Sequence, residues 1–193
     1  MKKIIFGALL MSIMLFTSCN GSKDEGKQEE VPINVEQLTQ ADKQAMTEKG
    51  GTDFVWFETI IKLKDYIDTD DTFTPQEMTN VFALIDTVKN EEIVYEFKHD
   101  IYGQCTVDST YDVWIEDCVL QDSLIKLNYE QACERVRETD MIKPHSTNAI
   151  LRNPLGPLQC NPQWVFGNVK EQIWIDATTG DAKDANPAFP QDN

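Results

Sequence analysis

Two histidines, five cysteines and thirty-three carboxylate side chains are the groups in this chain best suited to chemistry. His99 lies near Cys105 in sequence, which suggests a Cys–His nucleophile pair. No signature of a cysteine-dependent enzyme surrounds them, and an oxidised Cys105 would be inert as a nucleophile, so the pair is not read as catalytic. No C-x-x-C or H-x-x-x-H spacing occurs, so no metal site and no cofactor are expected. Asp68-Thr69-Asp70-Asp71-Thr72 begins like a calcium-binding EF-hand loop. Its sixth position is Phe73 rather than Gly and its twelfth is Thr79 rather than Glu, so it reads as a solvated turn. There is no G-x-S-x-G and no Gly-rich phosphate loop. What remains is carboxylate chemistry. A glycan hydrolase needs two acids at about 5 or about 9 Å, a separation that sequence does not fix.

The elements that would position these groups follow from caps and periodicity. Asn34-x-x-Gln37, Thr74-x-x-Glu77 and Asn128-x-x-Gln131 each place a capping residue three before Gln or Glu. Apolar residues then recur at helical spacing: Met78, Val81, Phe82, Ile85 and Val88 after the second, Tyr129, Ala132, Cys133 and Val136 after the third. Pro75 suits a first helical position. The first helix is weaker, with Val35, Leu38, Ala41, Ala45 and Met46 before Gly50-Gly51. Residues 54–67 are β-branched and aromatic, and 93–97 with 111–115 read as a hairpin pair around a loop containing Gly103. Further strands are expected at 149–151, 163–166 and 172–176, and an irregular tail after Gly180. The fold class is therefore α+β, with helices packed on an antiparallel sheet.

Composition narrows the function classes. The 193 residues carry a net charge of −16, which repels phosphate backbones and excludes nucleic acid as a partner. Beyond Cys19, four cysteines remain: Cys105, Cys118, Cys133 and Cys160. In an exported chain an even number reads as two disulfides, with three connectivities open.

Export is argued from the start of the chain. Lys2 and Lys3 precede an apolar run over 4–16, too short for a membrane span and suited to a secretory leader. The run ends in Phe16-Thr17-Ser18-Cys19, which resembles the bacterial lipobox. The resemblance implies cleavage after Ser18 and acylation of Cys19, and several acyl chains make a stable membrane anchor. Residues 1–18 are then the leader, and 19–33, rich in Gly, Ser, Lys, Glu and Gln, a flexible tether. The mature chain would have 193 less 18, or 175, residues. Gly21-Ser22-Lys23-Asp24-Glu25 is similar to the acidic signal of some Gram-negative surface lipoproteins, and reads equally as a charged linker. The expected location is the outer membrane of the cell envelope, facing the periplasm or the surface.

The sequence also hints at repetition. Apolar-Trp-apolar-acid recurs at Trp56, Trp114 and Trp174, close to 60 residues apart. The last instance runs into Asp176-Ala177-Thr178-Thr179-Gly180, which resembles the closing turn of the PepSY domain. That resemblance implies a helix near 129–138 followed by antiparallel strands. It assigns 128–193 to one such module with its tail and 74–127 to a degenerate second copy, with 34–73 as an N-terminal helix and strand. Paired modules of this kind resemble the β-lactamase-inhibitor-like lipoproteins. Asp176 and Gly180 have structural roles in this reading: an acceptor for the turn and a residue free to take positive φ.

The functional expectation is a lipid-anchored, non-enzymatic binding module that docks on, or inhibits, another exported protein such as a peptidase. Trp56, Trp114 and Trp174 are its expected binding aromatics. The alternatives are a structural envelope lipoprotein and a carboxylate-based glycan hydrolase.

Overall fold

The computed structural model describes residues 29–50, 54–86, 91–111, 119–154 and 161–184. Helix α1 (Val35–Gly50) leads into strands β1 (Phe54–Leu63), β2 (Pro75–Asp86), β3 (Glu91–Asp100) and β4 (Cys105–Tyr111). A short 3-10 turn at Asp122–Leu124 precedes helix α2 (Tyr129–Glu138) and strands β5 (Asn148–Arg152), β6 (Gln163–Gly167), β7 (Gln172–Asp176) and β8 (Ala182–Asp184). All eight strands form one antiparallel sheet in the order β4-β3-β2-β1-β5-β6-β7-β8. This is an α+β fold with an open sheet.

That order has internal symmetry. Each helix is followed by a four-strand meander, and the meanders run outward from a shared seam. At the seam β1 pairs antiparallel with β5, from Glu58 opposite Arg152 to Lys62 opposite Asn148. The helices begin at Val35 and Tyr129, 94 positions apart, and each is followed by four of the described strands.

The difference comes from residues 74–88, expected as a helix and found as β2. The helical spacing of Met78, Val81, Phe82 and Ile85 arises in a strand that buries side chains on both faces. Met78 and Phe82 join the main core, while Val81 and Ala83 join a smaller cluster on the opposite face. Such a run shows no period-2 alternation. β2 pairs along most of its length with β1 and with β3, and these two ladders outweigh the local capping signal. The helix expected from Thr74 onward is thus a strand over Pro75–Asp86. The hairpin partner of β3 also lies earlier than expected, with Ile93 opposite Tyr111 and His99 opposite Cys105. Residues 112–115 lie outside the described residues. The tail after Gly180 is not wholly irregular, since Ala182–Asp184 adds an eighth strand to β7.

The two helix starts at Asn34 and Asn128 behave as their sequences predict. The Asn34 side chain accepts from the Gln37 N–H at 2.9 Å. Asn128 and Gln131 form a reciprocal capping box at 2.9 and 3.0 Å. Both helices contribute to one core cluster on one face of the sheet. Phe82 lies at its centre, fully buried, with Phe54 and Phe97 each meeting it edge-on at 5.7 Å. Toward the other unit Tyr129 leans on Trp164 at 5.7 Å and donates its hydroxyl to the Phe73 carbonyl at 2.6 Å.

Candidate functional site

α1 is weakly amphipathic in sequence because half of its buried stripe is polar: Val35, Thr39, Asp42 and Met46. Burying a carboxylate is costly unless partners receive it. Asp42 has them. Its Oδ2 accepts from the Asn80 side-chain amide at 2.7 Å and lies 2.9 Å from His99 Nε2, and its Oδ1 is 3.1 Å from the same nitrogen. The side chains of Asp42 and His99 are only 4% and 8% exposed, so this pair is shielded from water.

Asn80 is held in turn. Its Oδ1 accepts from the Thr59 hydroxyl and, at 3.4 Å, from that of Thr39. On the other side, the pairing of β3 with β4 sets Cys105 opposite His99 and brings Sγ to 3.9 Å from Nε2. A polar chain therefore runs from Thr59 through Asn80, Asp42 and His99 to a thiol at the molecular rim. Burial, and then the nearby Asp42 charge, push the Cys105 thiol above its ordinary pKa. It is a poor nucleophile in this state. A Cys–His–acid relay also needs acid and thiol on opposite ring nitrogens, whereas both face Nε2 here.

Beside this chain, between the two helices, lies a cleft of about 260 Å³. Trp56, Trp164 and Tyr129 form its aromatic floor, with Thr39, Lys43 and Gln131 among its polar residues. The polar atoms of the floor are engaged internally: Trp56 Nε1 donates to the Glu58 carbonyl at 3.2 Å and Trp164 Nε1 to that of Leu127 at 3.0 Å. Lys43 is tied to Asp122 at 2.5 Å and stacks over Trp56 at 3.7 Å.

The sheet's other face differs in character. Ile150, Val165 and Trp174 alternate with core residues along β5, β6 and β7 and so point away from the helices. With Arg152 and Val169 they line a hollow of about 420 Å³, and Val169 is 81% exposed. On the same face Glu58 is buried, which raises its pKa. Arg152, its register partner, opposes the shift and Glu96 reinforces it. Asp70 and Asp176 move the opposite way, held below the ordinary carboxylate range by the hydrogen bonds they accept.

The expected site residues are spread over the molecule. Trp56 is buried under the helices, and Trp174 is half-buried on the opposite face. Asp176 serves its turn: Oδ1 accepts the N–H groups of Thr178 and Thr179 at 2.8 and 3.0 Å, and Gly180 has φ +83°. Desolvation acts to raise the Asp176 pKa, but these donors and the amides of Asn161 and Gln163 hold it below the ordinary range. Asp70 does the same in the loop first compared with an EF-hand, accepting from Thr72 and Thr74. Cys105 and Cys133 are free thiols, the first exposed and the second buried on α2. Cys19, Trp114, Cys118 and Cys160 lie outside the described residues, as does the leader. Sequence reasoning missed Asp42 and Asn80. The usable signal was a polar residue recurring on the apolar stripe of α1.

The class defined here is an open α+β sheet built from two helix-plus-meander units, with helices on one face. No protein-family model and no curated protein matches the chain. Among solved structures, the fold is similar to that of a protein named as a lipoprotein from Clostridium difficile 630, with a TM-score of 0.45 and 17% identity over 83% of this chain and 94% of that one. No helix among the described residues is long and apolar enough to cross a membrane.

Proposed function

We propose that this protein is a lipid-anchored, non-enzymatic module of the cell envelope that binds another exported protein across the face of its sheet opposite α1 and α2. The observation that carries this reading is the division of the sheet: both helices pack on one face, while Ile150, Val165 and Trp174 form an apolar hollow on the other. An aromatic beside aliphatic side chains on strands is a preformed receptor for an apolar anchor residue, because little side-chain entropy remains to be lost. Acyl chains on Cys19 and the tether over 19–33 would hold the domain at the outer membrane while leaving it free to orient. With the leader's two lysines removed, the net charge of −16 becomes −18, which favours a partner with a basic contact surface.

The test is a photoreactive phenylalanine placed at Trp174 in cells, compared with the same group at the exposed Glu134 on α2. The proposal expects a discrete protein adduct from position 174 and none from position 134, weakened when Ile150→Asp is added. Equal labelling from both positions, or none from position 174, would overturn it.

A further inference from the structure

Asp42, His99 and Cys105 present three different donor atoms to one small volume. A carboxylate oxygen, an imidazole nitrogen and a thiol sulfur all lie within 4.8 Å of one another. We propose that these residues form a mononuclear site for a divalent transition metal of the zinc type, with a fourth position open to water or an outside ligand.

The distances fit such an ion. Tetrahedral zinc, bonded at about 2.0 Å to oxygen and nitrogen and about 2.3 Å to sulfur, sets ligand edges of about 3.3 Å between N and O and about 3.6 Å between N and S. The corresponding separations are 2.9 to 3.1 Å and 3.9 Å. The third edge, from the Asp42 carboxylate to Cys105 Sγ, lies within 4.8 Å, against about 3.5 Å around a tetrahedral ion, so the exposed Cys105 side chain has to swing inward by up to about 1 Å to complete the set.

The charges fit too. A carboxylate and a thiolate together cancel the +2 of the ion, so the occupied site is neutral where Asp42 and His99 are buried. Binding displaces the proton on the Cys105 sulfur to solvent and requires His99 to present an unprotonated Nε2, its remaining proton on Nδ1. No electrons are transferred.

Rigid elements carry the ligands. His99 and Cys105 are opposite residues on paired strands, and α1 lies packed against the sheet. The Asn80 amide, itself held by Thr59, orients the Asp42 carboxylate and, among the described residues, leaves Oδ1 free of protein donors other than His99, an outer-shell arrangement that metal-binding carboxylates commonly have. The mixed nitrogen and sulfur donors favour zinc, cobalt or nickel over calcium and magnesium, which take oxygen. The neighbouring Asp100 does not compete, since its Oδ1 accepts from the N–H groups of Tyr102 and Gln104.

Cobalt(II) reports directly on this geometry. The mature full chain in detergent, stripped with chelator under reducing conditions, is titrated with cobalt(II). One equivalent should bind and give a thiolate-to-cobalt charge-transfer band with the visible bands of a tetrahedral ion, all abolished by one equivalent of zinc. Cys105→Ser alters an exposed side chain and should keep the fold by circular dichroism while losing the charge-transfer band. Asp42→Asn, nearly isosteric, should weaken cobalt binding at least tenfold. Absence of a tetrahedral cobalt spectrum in the parent overturns the proposal and leaves Asp42–His99 as a buried hydrogen-bonded pair. A charge-transfer band undiminished in Cys105→Ser also overturns it, because the metal would then be held by other cysteines.

Discussion

Asp176→Ala should destabilise the fold by about 2–3 kcal/mol at neutral pH. The carboxylate accepts four hydrogen bonds: from Thr178 N at 2.8 Å, Thr179 N at 3.0 Å, Gln163 Nε2 at 3.2 Å and Asn161 Nδ2 at 3.3 Å. Hydrogen bonds to a charged acceptor contribute about 1.5–3 kcal/mol each, but Asp176 is only half-buried, so the low end applies and the longer pair is screened. Two short bonds at about 1–1.5 kcal/mol each give the figure. Gln163, fully buried, would lose one acceptor of its amide while its Oε1 already has no partner among the described residues. At about 2–4 °C per kcal/mol for a chain of this size, Tm should fall by roughly 5–10 °C. Asp176→Asn keeps one acceptor for the turn but faces the two side-chain amides with its own N–H groups, so it should fall between. The pH dependence supplies a second check. The folded pKa of Asp176 is lowered, so its stabilisation is fully present above the unfolded value of about 3.9 and is lost as pH falls through the folded pKa. Urea unfolding of parent and variant from pH 7 downward should therefore show curves that converge in acid. A loss under about 0.5 kcal/mol at pH 7, the range of an ordinary surface change, would refute the reasoning, as would a gap that stays constant with pH.

Three further outcomes are expected. Gly167→Ala should cost about 2–4 kcal/mol in urea unfolding, because φ is +133° and a Cβ would lie 2.1 Å from the Glu171 carbonyl oxygen; a neutral effect would mean that the β6–β7 turn is described wrongly. Glu58, whose pKa burial raises, gives stability that is present below its unfolded value of about 4.3 and lost as pH rises through the folded value, so Glu58→Gln should flatten the fall in stability as pH rises above about 4.3; an unchanged slope would count against that burial. Cys19→Ser should abolish acyl labelling and detergent-phase partitioning, and retention of either would remove the lipid anchor from the proposal.

Local signals in the sequence reached the elements whose character is set by near neighbours. The Asn34 and Asn128 caps, the buried stripe of α2 and the strands at β1, β5, β6 and β7 depend on contacts within a few residues, and their patterns survive into the structure. The two-sided strand β2 did not show itself, because burial on both faces removes the alternation that marks a strand, and only pairing with β1 and β3 decides its conformation. The same limit hid the symmetric order of the sheet: its seam is the pairing of β1 with β5, two segments far apart in the chain. It also hid the polar cluster. Asp42 stands 57 residues before His99, and no spacing rule joins them. Only the packing of α1 across β2 and β3 brings carboxylate, imidazole and thiol to one point, since a buried charge takes its partners from whatever the tertiary fold sets around it.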